Sequence, residues 1–248
     1  MSKPGIVGGT LLVLRKDLLI EWRTRARMSA LIFFALATLF IFSFALSADT
    51  AILRKNAAGY LWLAILFASV LSLGESFRIE SENLCLDGLR LVPTDPRAIF
   101  LGKALGNTFL LWLLALVITP ITIALYDIRF EPVQLDAAAQ AVTSSSGFPW
   151  WPLLQLAGFL LLGSLAIAAP GTVYAAIASN IRARDVILPL LLFPMLIPGL
   201  LASVKGTALI LEGDPMHQLG SWLGLLTAFN LLYWSLCFAL FPRVVEDD

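Results

Sequence analysis

One histidine, two cysteines and a single Gly-Lys pair have the strongest claim on chemistry in this sequence. Their spacing supports none of it. His217 stands alone, makes a weak metal or cofactor site, and reads as a loop residue. Cys85 and Cys237 lie far apart and form neither a C-x-x-C redox motif nor a zinc spacing. Gly102-Lys103 is followed by Ala104, and Arg97 stands where a P-loop needs its first glycine. There is no nucleophile elbow and no H-E-x-x-H. What remains is a charged interruption, ESFRIESENLCLDGLRLVPTDPRAIFLGK, from Glu75 to Lys103. It sets five acidic and four basic residues between two long apolar runs. Apolar Phe77, Leu84, Leu86 and Leu89 stand among charged Glu82 and Asp87, a pattern suited to recognition rather than bond-making.

The elements around this stretch follow from composition. Of 248 residues, 59% are hydrophobic and 14% charged, well below the quarter usual in soluble domains. Net charge is zero, so nothing attracts nucleic acid in bulk. Asp, Glu, Lys and Arg are missing from windows 28–48, 56–74, 104–126, 137–181, 186–204 and 215–242. Apolar runs of about 18 residues or more are candidate membrane helices. The expected fold is an all-α membrane protein, one transmembrane domain over residues 1–248. Its six spans fall near 29–48, 57–74, 104–125, 152–178, 186–204 and 220–241. No span so drawn contains a charge, which argues against ion-coupled transport, since that needs buried ionisable groups.

Lys and Arg set the orientation. With six spans, 13 of the 17 basic residues fall on the side holding both termini, 75–103 and 179–185. Both termini, and the charged stretch, are therefore expected in the cytoplasm. Residues 10–27 read as an amphipathic helix in the membrane interface, with Leu11, Leu14, Leu18 and Trp22 on one stripe and Arg15, Lys16, Glu21, Arg23, Arg25 and Arg27 elsewhere. The stretch from Glu75 to Pro93 reads as a helical elbow that breaks at LVPTDP. Asp95 is a good N-cap and Pro96 a good first helical residue for the next span.

Two spans carry expected kinks: Pro170-Gly171 in the fourth, and Pro189, Pro194 and Pro198 in the fifth. Such breaks need neighbouring protein to satisfy the backbone, so both spans are expected inside the bundle. The pairs Gly102/Gly106 and Gly220/Gly224 permit close helix approach, although chance explains such pairs equally well. Trp62, Trp150, Trp151 and Trp222 fall near the predicted outer ends, as an aromatic belt does. A short outer helix starting at Pro132 is expected in the loop 127–151.

Four blocks carry a resemblance over nearly the whole chain: RKDLLIEWRTR, GYLWLAILFASVLSLGESF, LDGLRLVPTDPRAIFLGK and APGTVYAAIASNIRARDVILPLLLFPMLIP. Their order and spacing resemble the heme exporter protein B family (CcmB), whose members are ABC-2 type membrane subunits of the cytochrome c maturation transporter. The resemblance implies a bacterial inner-membrane permease with no catalytic residue and no directly bound cofactor. It implies ATP hydrolysis by a separate ABC ATPase subunit, pairing with a second copy of the chain, and heme handled by the complex. The further implied partners are a heme-handling C subunit, a small D subunit and a heme chaperone. It assigns the elbow, with Phe77, Glu82, Leu84, Leu86, Asp87, Leu89 and Pro93, to ATPase coupling. Leu84 stands where the family commonly has glycine. Two other readings share parts of the pattern: an ABC-2 permease for a lipid, polysaccharide or drug, and a membrane assembly scaffold without an ATPase.

Overall fold

The computed structural model describes residues 5–45, 50–82, 95–128, 150–179, 184–214 and 216–246. All regular structure in them is helical. The helices are α1 (Ile6–Thr24), α2 (Ala26–Ala45), α3 (Thr50–Glu82), α4 (Pro96–Leu125), α5 (Trp150–Ser179), α6 (Arg184–Glu212) and α7 (Leu219–Glu246). Six of them, α2 to α7, are long and apolar enough to cross a membrane, matching the six expected spans. The ends of α2, α4 and α6 that begin each helix, and the ends of α3, α5 and α7 that finish each, lie at one end of the bundle. We call it the elbow end, because the chain between α3 and α4 leaves from it.

Local sequence explains the boundaries. Asp95 caps α4, its Oδ1 accepting the Arg97 N–H at 2.9 Å, and Pro96 takes the first helical position. That is the start expected from LVPTDP. The predicted outer helix from Pro132 lies outside the described residues. The amphipathic segment differs from expectation. It begins at Ile6 and ends at Thr24, where Arg25 adopts the left-handed conformation (φ 50) and donates its N–H to Glu21 O at 2.9 Å. One residue later α2 begins, so Arg27 belongs to the next helix and not to the polar face of α1.

Packing places α5 at the centre, against α3, α4, α6 and α7. Prolines 170, 189, 194 and 198 lie inside α5 and α6, which run on through them as helices. Each removes one backbone donor from its helix. Close approach depends on single glycines. A Cβ on Gly163 would stand 2.0 Å from Trp62 Cη2, one on Gly206 2.0 Å from Phe159 Cε1, and one on Gly171 2.4 Å from Leu73 Cδ1. Trp62 is therefore a core residue, 1% exposed, with its indole N–H on Thr207 Oγ1 at 3.0 Å. Its assignment to an aromatic belt is corrected: it fills the space that Gly163 leaves between α3 and α5. Trp151, 55% exposed, does present an open face.

At the opposite end Arg54 of α3 pairs with Asp127 just past α4, and the Tyr126 hydroxyl donates to Leu39 O at 3.0 Å. Helices α2 and α7 are peripheral. Phe33, Ile41 and Phe44 of α2 and Leu231 and Leu232 of α7 are exposed, surfaces that suit acyl chains.

Candidate functional site

At the elbow end, where α1 folds back over α4, buried Lys103 and Asn107 join a network of ion pairs and hydrogen bonds between helices. Gly102 permits this return of α1. Its absent Cβ would lie 2.7 Å from Val13 Cβ and 3.0 Å from Thr10 O, while that of Gly106 would meet Leu14 Cδ1 at 3.7 Å. The first glycine pair is thus the seat of α1 on α4. The second pair, Gly220/Gly224, has open space around it. Leu14 and Leu18 are half-buried, whereas Leu11 and Trp22 are exposed. The stripe expected to face lipid is therefore divided between α4 and the outside.

Seating α1 brings its acids onto two cations. Lys103, the eighth residue of α4, is 2% exposed. Its Nζ donates to Ser76 O at 2.9 Å, pairs with Asp17 Oδ2 at 3.6 Å and lies 4.6 Å from the Phe77 ring centroid. Arg27 Nη2 donates to Ser72 O at 2.7 Å, Ser72 Oγ at 2.6 Å and Asn107 Oδ1 at 3.0 Å. Arg27 Nη1 lies 3.9 Å from Glu21 Oε2, and Glu21 Oε1 also accepts the Met28 N–H at 3.1 Å. The expectation that no span holds a charge is corrected here. The uncharged windows began one residue past Arg27 and Lys103, but the helices start earlier, and α1 supplies carboxylates to half-buried Arg27 and buried Lys103.

Asn107, 2% exposed, joins α4 to α2, α3 and α5. Besides accepting from Arg27, its Nδ2 donates to Ser76 Oγ at 3.3 Å and Thr172 Oγ1 at 3.1 Å. Thr172 in turn donates to Ala168 O at 2.7 Å. A cavity of about 410 Å³ opens beside this cluster, between Lys16, Asp17, Glu21, Arg27, Glu75 and Asn107. The arrangement ties the last turns of α3 and the first turns of α4 into one frame. Residues 83–94 connect these two helices in the sequence.

The predicted elbow residues divide accordingly. Phe77 is 3% exposed and packs inside the bundle beneath Lys103. The residue that the resemblance assigned to ATPase coupling is thus covered by its own bundle. Glu82 is the last residue of α3. Leu84, Leu86, Asp87, Leu89 and Pro93 lie outside the described residues. Of the kink residues, Gly171 leaves room for Leu73 of α3, whose Cδ1 stands 2.4 Å from where a Cβ would be. His217 is exposed in the turn between α6 and α7, with φ 53. There Asp214 accepts the N–H groups of Leu219 and Gln218, each at 2.8 Å. The Leu219 bond chiefly, then the Gln218 bond, holds its carboxyl below the usual range.

Known proteins match this chain over most of its length. The sequence model of the family described as CcmB protein covers residues 9–244. The chain belongs to the CcmB family. A CcmB relative named heme exporter protein B, from Pseudomonas aeruginosa, is 29% identical over 225 residues, 90% of each chain. The protein of the same name from Rhodobacter capsulatus is 30% identical over 201 residues, 81% of this chain and 82% of its own. That from Bradyrhizobium diazoefficiens is 26% identical over 220 residues, 89% of each. CcmB membership and six apolar helices make this a multi-pass membrane protein. Sequence reasoning missed this polar cluster, because Arg27 and Lys103 read as flanking charges until α1 is seen to fold over them.

Proposed function

We propose that this chain is the permease subunit of an ABC transporter for cytochrome c biogenesis, in the bacterial inner membrane, with both termini in the cytoplasm. A separate ABC ATPase docks on the chain between α3 and α4, and its hydrolysis drives release of the heme-loaded chaperone. The complex holds two copies of this chain, two ATPase subunits, a heme-handling C subunit and a small D subunit. ATP is bound by the partner, and no heme ligand is assigned to this subunit.

The observation that supports coupling is the frame in which buried Lys103, over buried Phe77, joins Ser76 and Asp17 under both feet of the elbow. A flexible loop transmits no force. A loop whose entry and exit helices are bonded to each other moves both helices together. Leu84, Leu86 and Leu89 would fill a cleft on the ATPase as apolar anchors, with Glu82 and Asp87 setting register at its rim and Pro93 ending the contact. The 13-to-4 division of Lys and Arg supports placing this end in the cytoplasm.

The test is co-purification of the ATPase with wild-type chain, Leu89→Asp and Asp87→Ala. Leu89→Asp should lose the ATPase, because an unpaired buried charge costs about 3–5 kcal/mol, and Asp87→Ala should lose less. Wild-type yield of ATPase with Leu89→Asp would place the docking site elsewhere.

A further inference from the structure

We propose that Asn107 is the positioning residue that carries movement of the elbow to the Pro170–Gly171 segment of α5. The proposal deepens the coupling reading and rests on it. Asn107 is on α4, eleven positions past its start at Pro96. Its one side chain bonds three other helices: α2 through Arg27, α3 through Ser76 and α5 through Thr172.

The α5 contact falls at a weak point. Proline at 170 has no N–H, so Ala166 O lacks its helical donor there. Gly171 has no side chain, and Leu73 of α3 occupies the space, 2.4 Å from where a Cβ would stand. Thr172, 0% exposed, spends its hydroxyl proton on Ala168 O, inside the same turn, and receives Asn107 Nδ2 on its lone pair. A displacement of α3 and α4 at the elbow therefore reaches α5 by a polar link and an apolar contact, both within the turn least held by its own backbone.

Stability alone does not call for this link. Buried polar networks replaced by well-packed apolar groups are often as stable or more so, and membrane helices pack well through small residues alone. A network of directed bonds differs in having discrete arrangements rather than a continuum, as a two-state element requires.

The experiment uses the full complex in lipid nanodiscs, with Cys85→Ser and Cys237→Ser, and Ser179→Cys as a reporter. Ser179 is half-buried at the end of α5, beyond the proline. Its maleimide labelling rate is compared with ADP and with a non-hydrolysable ATP analogue. The unaltered network should give a difference of about fivefold or more, the lower end of usual allosteric coupling. Asn107→Leu and Thr172→Val should abolish that difference while the ATPase still co-purifies. Thr172→Ser keeps the hydroxyl and should preserve the response; a merely structural role would change yield or melting and leave it intact. If Asn107→Leu does not assemble, Thr172→Val against Thr172→Ser decides. A full nucleotide response in Thr172→Val overturns the proposal alone. Failure of the wild-type chain to retain any ATPase overturns the coupling reading and the proposal with it.

Discussion

Replacing Asp17 by Asn should loosen the whole elbow end, and the size of the effect follows from the geometry. Asp17 Oδ2 lies 3.6 Å from Lys103 Nζ, which is 2% exposed. At that distance an effective permittivity of about 20 gives about 4–5 kcal/mol. Asp17 is a quarter exposed, and Lys16 Nζ at 3.3 Å shares its charge. Solvent and that second partner leave about half, or roughly 2 kcal/mol. The change leaves the Lys103 ammonium on Ser76 O and the Phe77 face without this carboxylate. Lys103→Met removes the buried charge, so it should stay near wild type, and Asp17→Asn combined with Lys103→Met should recover most of the loss. The assay is thermal melting in mild detergent, followed by size-exclusion of a fluorescent fusion. About 2 kcal/mol corresponds to about 4–8 °C for a domain of this size. An Asp17→Asn protein that melts with wild type, or a double variant as labile as the single, would refute the reasoning.

Gly102→Ala should lower melting by the equivalent of about 1–3 kcal/mol, because its Cβ would collide with Val13; Gly220→Ala, with open space around it, should fall within about 0.5 kcal/mol of wild type. Limited proteolysis of α1 should separate them: faster release in Gly102→Ala, none in Gly220→Ala. Gly163→Ala drives a methyl into Trp62 and should cost more than either, read as lost yield of folded protein. Asp214, whose carboxyl is held below its ordinary 3.8, stabilises the start of α7 fully above that value and loses this as pH falls through its lowered folded value. Asp214→Ala should therefore melt below wild type at pH 7, and the gap should shrink toward pH 3; a gap that grows on acidification contradicts the assignment.

The sequence made the six spans legible because lipid excludes charge, and charges are easy to see. The start of α4 was equally legible, since Asp95 and Pro96 act through local backbone chemistry. The buried frame was not. Whether Lys103 faces water or a helix depends on α1 returning across α4, a long-range event that Gly102 permits and no local pattern announces. Trp62 misled for the same reason: its position in the span suggested a belt, while Gly163, 101 positions later, makes a socket for it. Single glycines that receive a neighbour's side chain carry no signature, so the contacts at Gly171 and Gly206 were also hidden. Phe77 sits among polar neighbours in the sequence, yet it is buried in the bundle, with Lys103 from 26 positions further on lying over its ring.

The central claim is that ATP hydrolysis by a docked partner acts through this chain to free a heme-loaded chaperone. It is tested most directly by assembling the complex in nanodiscs with that chaperone bound and following its departure by heme absorbance after ATP is added. The account predicts release with ATP, none with a non-hydrolysable analogue, and none when Leu89→Asp replaces the wild-type chain. Release at the same rate without ATP, or with Leu89→Asp in place, would contradict it.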